Sequence, residues 1–203
     1  MTITWLGHSC FLLESGGFRA LLDPFRDVPG LADVEAEADA VYCSHGHFDH
    51  AYTDRVRLTA GKKNPFTVTE IPTFHDGKGG ALRGENTVRR FEAEGVSVVH
   101  LGDLGHQLSP EQIQAAGPCD ALLLPVGGTY TVDSGEARAV AEAIGPRVIV
   151  PMHYRRGDVG FDVLTTLEDF LAQYPGDMAV RCPGNSLTLT PDMPRQIAVL
   201  ELP

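Results

Sequence analysis

Cysteine is scarce and scattered: the 203 residues contain four, Cys10, Cys43, Cys119 and Cys182, and no C-x-x-C pair. This spacing argues against a zinc knuckle or a redox dithiol. The apolar neighbours of the four thiols fit buried, reduced cysteines. No apolar run approaches the roughly 18 residues that a membrane span needs. The opening segment, MTITWLGHSCFLLESGG, is polar within five residues and lacks a basic leader, so it reads as a first strand and not as a signal peptide. These absences set the expectation of a cytoplasmic chain with no membrane partner.

Basic residues are also few, with 16 Lys and Arg against 27 Asp and Glu and a net charge of −11. Such a surface repels polyanions, and only the short clusters Arg89-Arg90 and Arg155-Arg156 offset it, so no nucleic-acid partner is expected. There is no G-x-S-x-G nucleophile elbow, no repeat at a fixed period, no Gly/Ser linker and no segment biased enough to suggest disorder. The remaining composition, 43% hydrophobic and 21% charged, is that of an ordinary globular protein, and its length suits one domain over residues 1–203.

Short apolar runs broken by turn residues open the chain. ITWLG, CFLLES and FRALLDPF, with Gly16-Gly17 between the last two, have the rhythm of antiparallel strands. FTVTEIPTF, NTVRRFEAEG and VSVVHLGD form a second such set, with EGVS as a hairpin turn. Helices follow. Ser109 caps one that runs to about Ala116, Asp133 or Ser134 caps another that stops at Gly145-Pro146, and a third is expected from about Phe161 to Gln173. Helices alternate with the strands DALLLPVGG, RVIVPMHY, MAVRCPG and SLTLT. This order predicts mixed sheets covered by helices, an α+β or layered α/β architecture.

Against this background CSHGHFDH stands out, with His45, His47, Asp49 and His50 inside six residues. Two histidines two apart at the end of a strand leave on the same side, and Gly46 keeps the backbone between them bare. A single histidine in such a place is more often solvated or hydrogen-bonded on its own. A cluster of this density is costly unless something shares its lone pairs, and neutral imidazoles with carboxylates suit zinc, manganese and iron. Further ligands are expected at strand ends, where Asp103 in HLGDLGH, His153 in VPMHY and His75 in PTFHDG lie.

These motifs resemble the metallo-β-lactamase fold superfamily. HGHFDH matches its H-x-H-x-D-H signature, DPF at Asp23 its first aspartate motif, HLGDLGH its bridging-aspartate motif and PMHY its last histidine motif. ITWLGHSCFLLE, RGENT and LLLPVGGTYT are similar to the branch that contains L-ascorbate-6-phosphate lactonase. The resemblance implies an αββα sandwich of two mixed sheets with the site at one edge. It implies a first ion held by His45, His47 and His75, a second held by Asp49, His50 and His153, and Asp103 as the bridge. His100 and His106 compete with His75 for the third histidine position. His8 and Asp23 match positions of the pattern that support or wall the site without ligating.

The expected chemistry is hydrolysis by a hydroxide bridged between two divalent ions, with Zn²⁺ expected and Mn²⁺ or Fe²⁺ also suited to the ligands. Asp49 would orient the hydroxide or take its proton. The expected partner is a small anionic ester, lactone or phosphoester. Arg83 in GGALRGENT and His106 are candidates to contact it, and Lys78 shares the glycine-rich loop. Three rivals predict different behaviour: a nuclease or phosphodiesterase, a redox di-iron protein, and a metal-binding scaffold without catalysis. A homo-oligomer is compatible with the resemblance.

Overall fold

The computed structural model describes residues 1–203 as two mixed sheets packed on one core. The strands are β1 (Thr2–Gly7), β2 (Cys10–Ser15), β3 (Phe18–Leu22), β4 (Ala36–Ala38), β5 (Ala40–Tyr42), β6 (Val56–Leu58), β7 (Thr67–Phe74), β8 (Glu85–Ala93), β9 (Val96–His100), β10 (Ala121–Pro125), β11 (Val148–Met152), β12 (Ala179–Arg181), β13 (Ser186–Thr188) and β14 (Gln196–Val199). Helices α1 (Pro110–Ala116), α2 (Ser134–Ile144) and α3 (Leu167–Leu171) complete the chain. The first sheet has the order β13-β1-β2-β3-β5 and the second β12-β14-β11-β10-β9-β8-β7, with a separate β4-β6 ribbon. The α+β sandwich of two mixed sheets expected from the sequence is the architecture observed.

Alternation explains the first sheet. Phe11 and Leu13 of β2 and Ala20 and Leu22 of β3 join the main core, while Cys10 and Leu21 face a smaller cluster with Phe25, Val28, Val34 and Ala38. That cluster lies under the segment after β3 and the β4-β6 ribbon. In the second sheet β9, β10 and β11 are buried at every position, which is why they read as continuous apolar runs. Each buried Val, Leu or Ile contributes roughly 1.5–3 kcal/mol, more than any local propensity can oppose.

The turns follow their chemistry. Ser15 pairs with Phe18 and Ala93 with Val96, leaving the two-residue loops Gly16-Gly17 and Glu94-Gly95, all with positive φ, as a hairpin twisted like its strands requires. Ser109 and Gln112 cap α1 reciprocally, as Asp133 and Glu136 cap α2, which ends on left-handed Gly145. The third helix is shorter than the sequence suggests, spanning Leu167–Leu171. Residues 161–166 are held otherwise: the Thr165 N–H donates to Gly127 O, and Thr165 O accepts from the Arg155 N–H. Those pairings use backbone groups that a longer helix would need, and they release Phe161 to line the functional cleft. No helix of the chain is long and apolar enough to cross a membrane.

Candidate metal centre

Five strand ends meet on one rim. Asp23 follows β3, the His45–His50 segment lies just beyond β5, His75 follows β7, Asp103 lies three residues past β9, and His153 follows β11. β3 runs parallel to β5, β9 parallel to β10 and β10 to β11, while two antiparallel steps give β7 the direction of β9. Carboxyl ends of like-directed strands are where open sheets place their ligands. The β1-β2 turn, with His8 and Ser9, reaches the same rim because Phe11 pairs with Leu22.

The side chains form two joined clusters. Ligand atoms of His45, His47 and His75 lie within 4.8 Å of one another, as do those of His8, Asp49, His50 and His153. Asp103 stands between them, with Oδ2 3.2 Å from both His75 Nε2 and His153 Nε2 and Oδ1 3.2 Å from His50 Nε2. His45, His47, Asp49, His50, His75, Asp103 and His153 are therefore brought together, and His8 joins them. His100 does not: its Nδ1 accepts from the Gly102 N–H and its Nε2–H donates to Ser9 O at 3.0 Å. His106 does not line the cleft either. Its Nε2 accepts from the Phe74 N–H and its Nδ1–H donates to Gln107 O, so a backbone strut replaces the expected substrate contact.

One buried carboxylate sets the tautomers of two histidines. Asp23 Oδ1 accepts the Ser44 N–H at 2.7 Å, and Oδ2 accepts the Ser44 hydroxyl at 2.5 Å and His50 Nδ1–H at 2.7 Å. Because the Ser44 hydroxyl proton is committed to Asp23, Ser44 Oγ must accept from His45 Nδ1–H, 2.9 Å away. Both His45 and His50 thus keep an Nε2 lone pair aimed into the site, the arrangement by which carboxylates orient metal-binding imidazoles. Asn86 secures the Asp103 turn: its Oδ1 accepts the Asp103 N–H, and its Nδ2 donates to Thr73 Oγ1 and Leu101 O. Gly102 must be glycine here, since a Cβ would stand 2.4 Å from Asn86 Oδ1 and from Ser44 Cβ.

The electrostatics suit cations. Burial, then the neighbouring His50, pushes His45 down to about 3, and burial with His153 pushes His8 down to about 4, so both rings are neutral at neutral pH. Burial opposes ionisation of Asp103, but His153 and His50 outweigh it and hold the carboxyl well below its usual range. Burial likewise opposes a charge on His50, and Asp103 and Asp23 on either side raise it well above the usual imidazole range. His8, Asp23 and His153 are also three of the chain's six non-glycine residues with positive φ, at 50°, 45° and 54°. Backbone strain of this kind clusters at functional sites.

A cleft of about 320 Å³ opens onto the clusters, with His47, Asp49, His75 and Asp103 on its floor. Phe48, Arg83, Tyr130 and Phe161 form its walls. The Arg83 guanidinium lies 5.4 Å from the Tyr130 ring centre and donates to Thr129 O at 3.3 Å. The loop that presents it wraps around Asp76, whose carboxylate accepts four backbone N–H groups, from Lys78, Gly80, Leu82 and Arg83. Burial opposes ionisation of Asp76, and these four donors outweigh it, lowering its pKa. Lys78 is exposed and lies outside the cleft lining. The sequence reading gave no role to Ser44, Asp76 or Asn86 and did not foresee the aromatic walls. Only Asn86 had a signal, inside the RGENT match.

A sandwich that gathers histidines and aspartates from both sheets on one rim defines the metallo-β-lactamase class. The family model described as the Beta-lactamase superfamily domain matches residues 2–153. A UPF0173 metal-dependent hydrolase of Methanoregula boonei is 31% identical over 185 residues, covering 76% of this chain and 82% of its own. One from Carboxydothermus hydrogenoformans is 30% identical over 195 residues, covering 76% and 84%. A Thermotoga maritima crystal structure, of a protein assigned as a Zn-dependent hydrolase of the same superfamily, is 37% identical with a TM-score of 0.78 over 100% of this chain and 99% of that one. The chain belongs to the metallo-β-lactamase superfamily and, within it, to the UPF0173 family of metal-dependent hydrolases. These relatives lend no support to the narrower lactonase resemblance.

Proposed function

We propose that this chain is a binuclear metal-dependent hydrolase acting on an ester, lactone or phosphoester of a small anionic molecule. One observation carries the reading. Ten buried side-chain polar atoms lack a hydrogen-bond partner, and eight of them belong to His8, His45, His50, His75, Asp103 and His153. Orphaned buried polar atoms are costly, and a cluster of them on imidazoles and a carboxylate fits divalent ions, Zn²⁺ first among them. His45, His47 and His75 would hold one ion, Asp49, His50 and His153 the other, and Asp103 both. Such ions supply Lewis acidity and generate hydroxide from water near neutral pH.

The residues of the chain do the rest. Asp49 lines the cleft and is held well below the usual carboxylate range, because the His8 and His50 imidazoles outweigh the opposing effect of burial. It is therefore ionised and placed to accept a proton from an attacking water. Arg83 is the one Lys or Arg side chain in the lining, so it is the group that would hold an anionic substrate. Phe48, Tyr130 and Phe161 would cover an apolar body beside that anion and exclude water from it.

Elemental analysis of the purified chain, together with a panel of esters, lactones and phosphodiesters, tests the reading. The expected result is two ions per chain, turnover that a chelator removes, and loss of both metal and turnover in His47→Ala. A metal-free wild-type chain, or a variant indistinguishable from it, would refute the reading. On any substrate so found, Arg83→Ala is expected to raise KM with the metal content unchanged. Loss of one charge-assisted hydrogen bond corresponds to about 1.5–3 kcal/mol, roughly 10–100-fold. Unaltered KM would remove Arg83 from substrate binding.

A further inference from the structure

We infer that His8 is a direct ligand of the second ion, making it the eighth residue of the centre. The inference rests on the binuclear reading above. His8 is 4% exposed, and neither of its ring nitrogens has a hydrogen-bond partner. Phe25 and Phe161 pack edge-on against its ring and offer it no donor or acceptor, and His153 lies across it with ring centres 4.3 Å apart. A desolvated imidazole in this position is satisfied only by what the Asp49, His50 and His153 cluster holds.

Distances favour ligation over a hydrogen bond. His8 Nε2 is 3.5 Å from Asp49 Oδ2, beyond the ordinary N–H···O range of 2.7–3.2 Å. Two donors each about 2.1 Å from one five-coordinate ion, at angles of about 90–120°, stand roughly 3.0–3.6 Å apart, and the 3.5 Å between His8 and Asp49 lies within that range. The backbone fixes the ring in place. His8 has φ of 50°, and its carbonyl accepts both Trp5 Nε1–H at 3.0 Å and the His153 N–H at 3.3 Å, tying the two strained loop ends together.

The consequence is an asymmetric centre. His8, His50 and His153 are all nearly inaccessible and none lines the cleft, whereas His47 and His75 do. With Asp49 and Asp103 added, five protein donors surround the second position. The first has four, and it faces the cleft through His47 and His75.

Titration of the metal-free full-length chain with Co²⁺, followed by calorimetry, and a crystal structure of the zinc-loaded wild type test this together. The expected result is two binding steps in the wild type, of which His8→Ala weakens the second at least about tenfold and spares the first. A His8 nitrogen about 2.0–2.1 Å from the second zinc is expected in the crystal. Should His8→Ala fail to fold, the wild-type crystal alone decides. Two ions with both His8 nitrogens beyond 3 Å of either would overturn this inference and leave the hydrolase reading standing. A chain that binds no metal would overturn both.

Discussion

Asp103→Ala is expected to yield a chain that retains neither ion and has no measurable turnover. The carboxylate lies 3.2 Å from His75 of one cluster and from His50 and His153 of the other, so on the binuclear reading its removal would strip a ligand from both positions at once. It also removes the negative charge that would lie between two divalent cations. Losing a residue that merely orients a ligand costs about 10–100-fold in affinity. Losing a shared ligand must cost more, at each position. The backbone should survive, because the bond that anchors this turn runs from the Asp103 N–H to Asn86 and does not involve the lost side chain. Circular dichroism should therefore match the wild type while metal analysis falls from two ions towards none. Two retained ions per chain would contradict the bridging role.

Asp23→Ala is the second large effect, and it should appear in stability as well as in metal binding. Asp23 is wholly buried and accepts three hydrogen bonds, from the Ser44 N–H, the Ser44 hydroxyl and His50 Nδ1–H. Breaking one side of a buried charged network typically costs about 3–5 kcal/mol. Both ions should also bind about 10–100-fold more weakly, because Asp23 orients His50 directly and His45 through Ser44. Ser44→Ala separates the two paths: it frees His45 while leaving the His50 contact, so the first ion should suffer more than the second. Urea melts and metal titrations of the pair provide the check. An Asp23→Ala chain with wild-type melting and wild-type metal affinity would remove the carboxylate from its proposed role.

Much of this centre was legible before the fold was known, for a physical reason. A run such as CSHGHFDH carries its chemistry locally, and strand-end positions for His75, Asp103 and His153 follow from apolar runs that stop just before them. What was illegible depends on contacts across the chain. His100 and His106 compete with His75 in the sequence, and only the fold shows that each has both ring nitrogens engaged by backbone groups. Ser44 passes as an ordinary polar residue until Asp23, 21 positions away, commits its proton. His8 was legible only as a support or wall of the site, because its place in a tight turn says nothing of what its ring faces. The expected start of the third helix failed because residues 161–166 pair with segments near Gly127 and Arg155, which no helical periodicity could reveal.

The left-handed backbone at His8, Asp23 and His153 has a further consequence. Each such residue is held where an ordinary side chain costs of order 1–3 kcal/mol, and the surrounding sandwich supplies the restraint. Copying the eight side chains onto another scaffold would not reproduce the geometry, since relaxed loops would point the same imidazoles elsewhere. What would have to be transplanted is the bent main chain, together with the sheets that hold it bent.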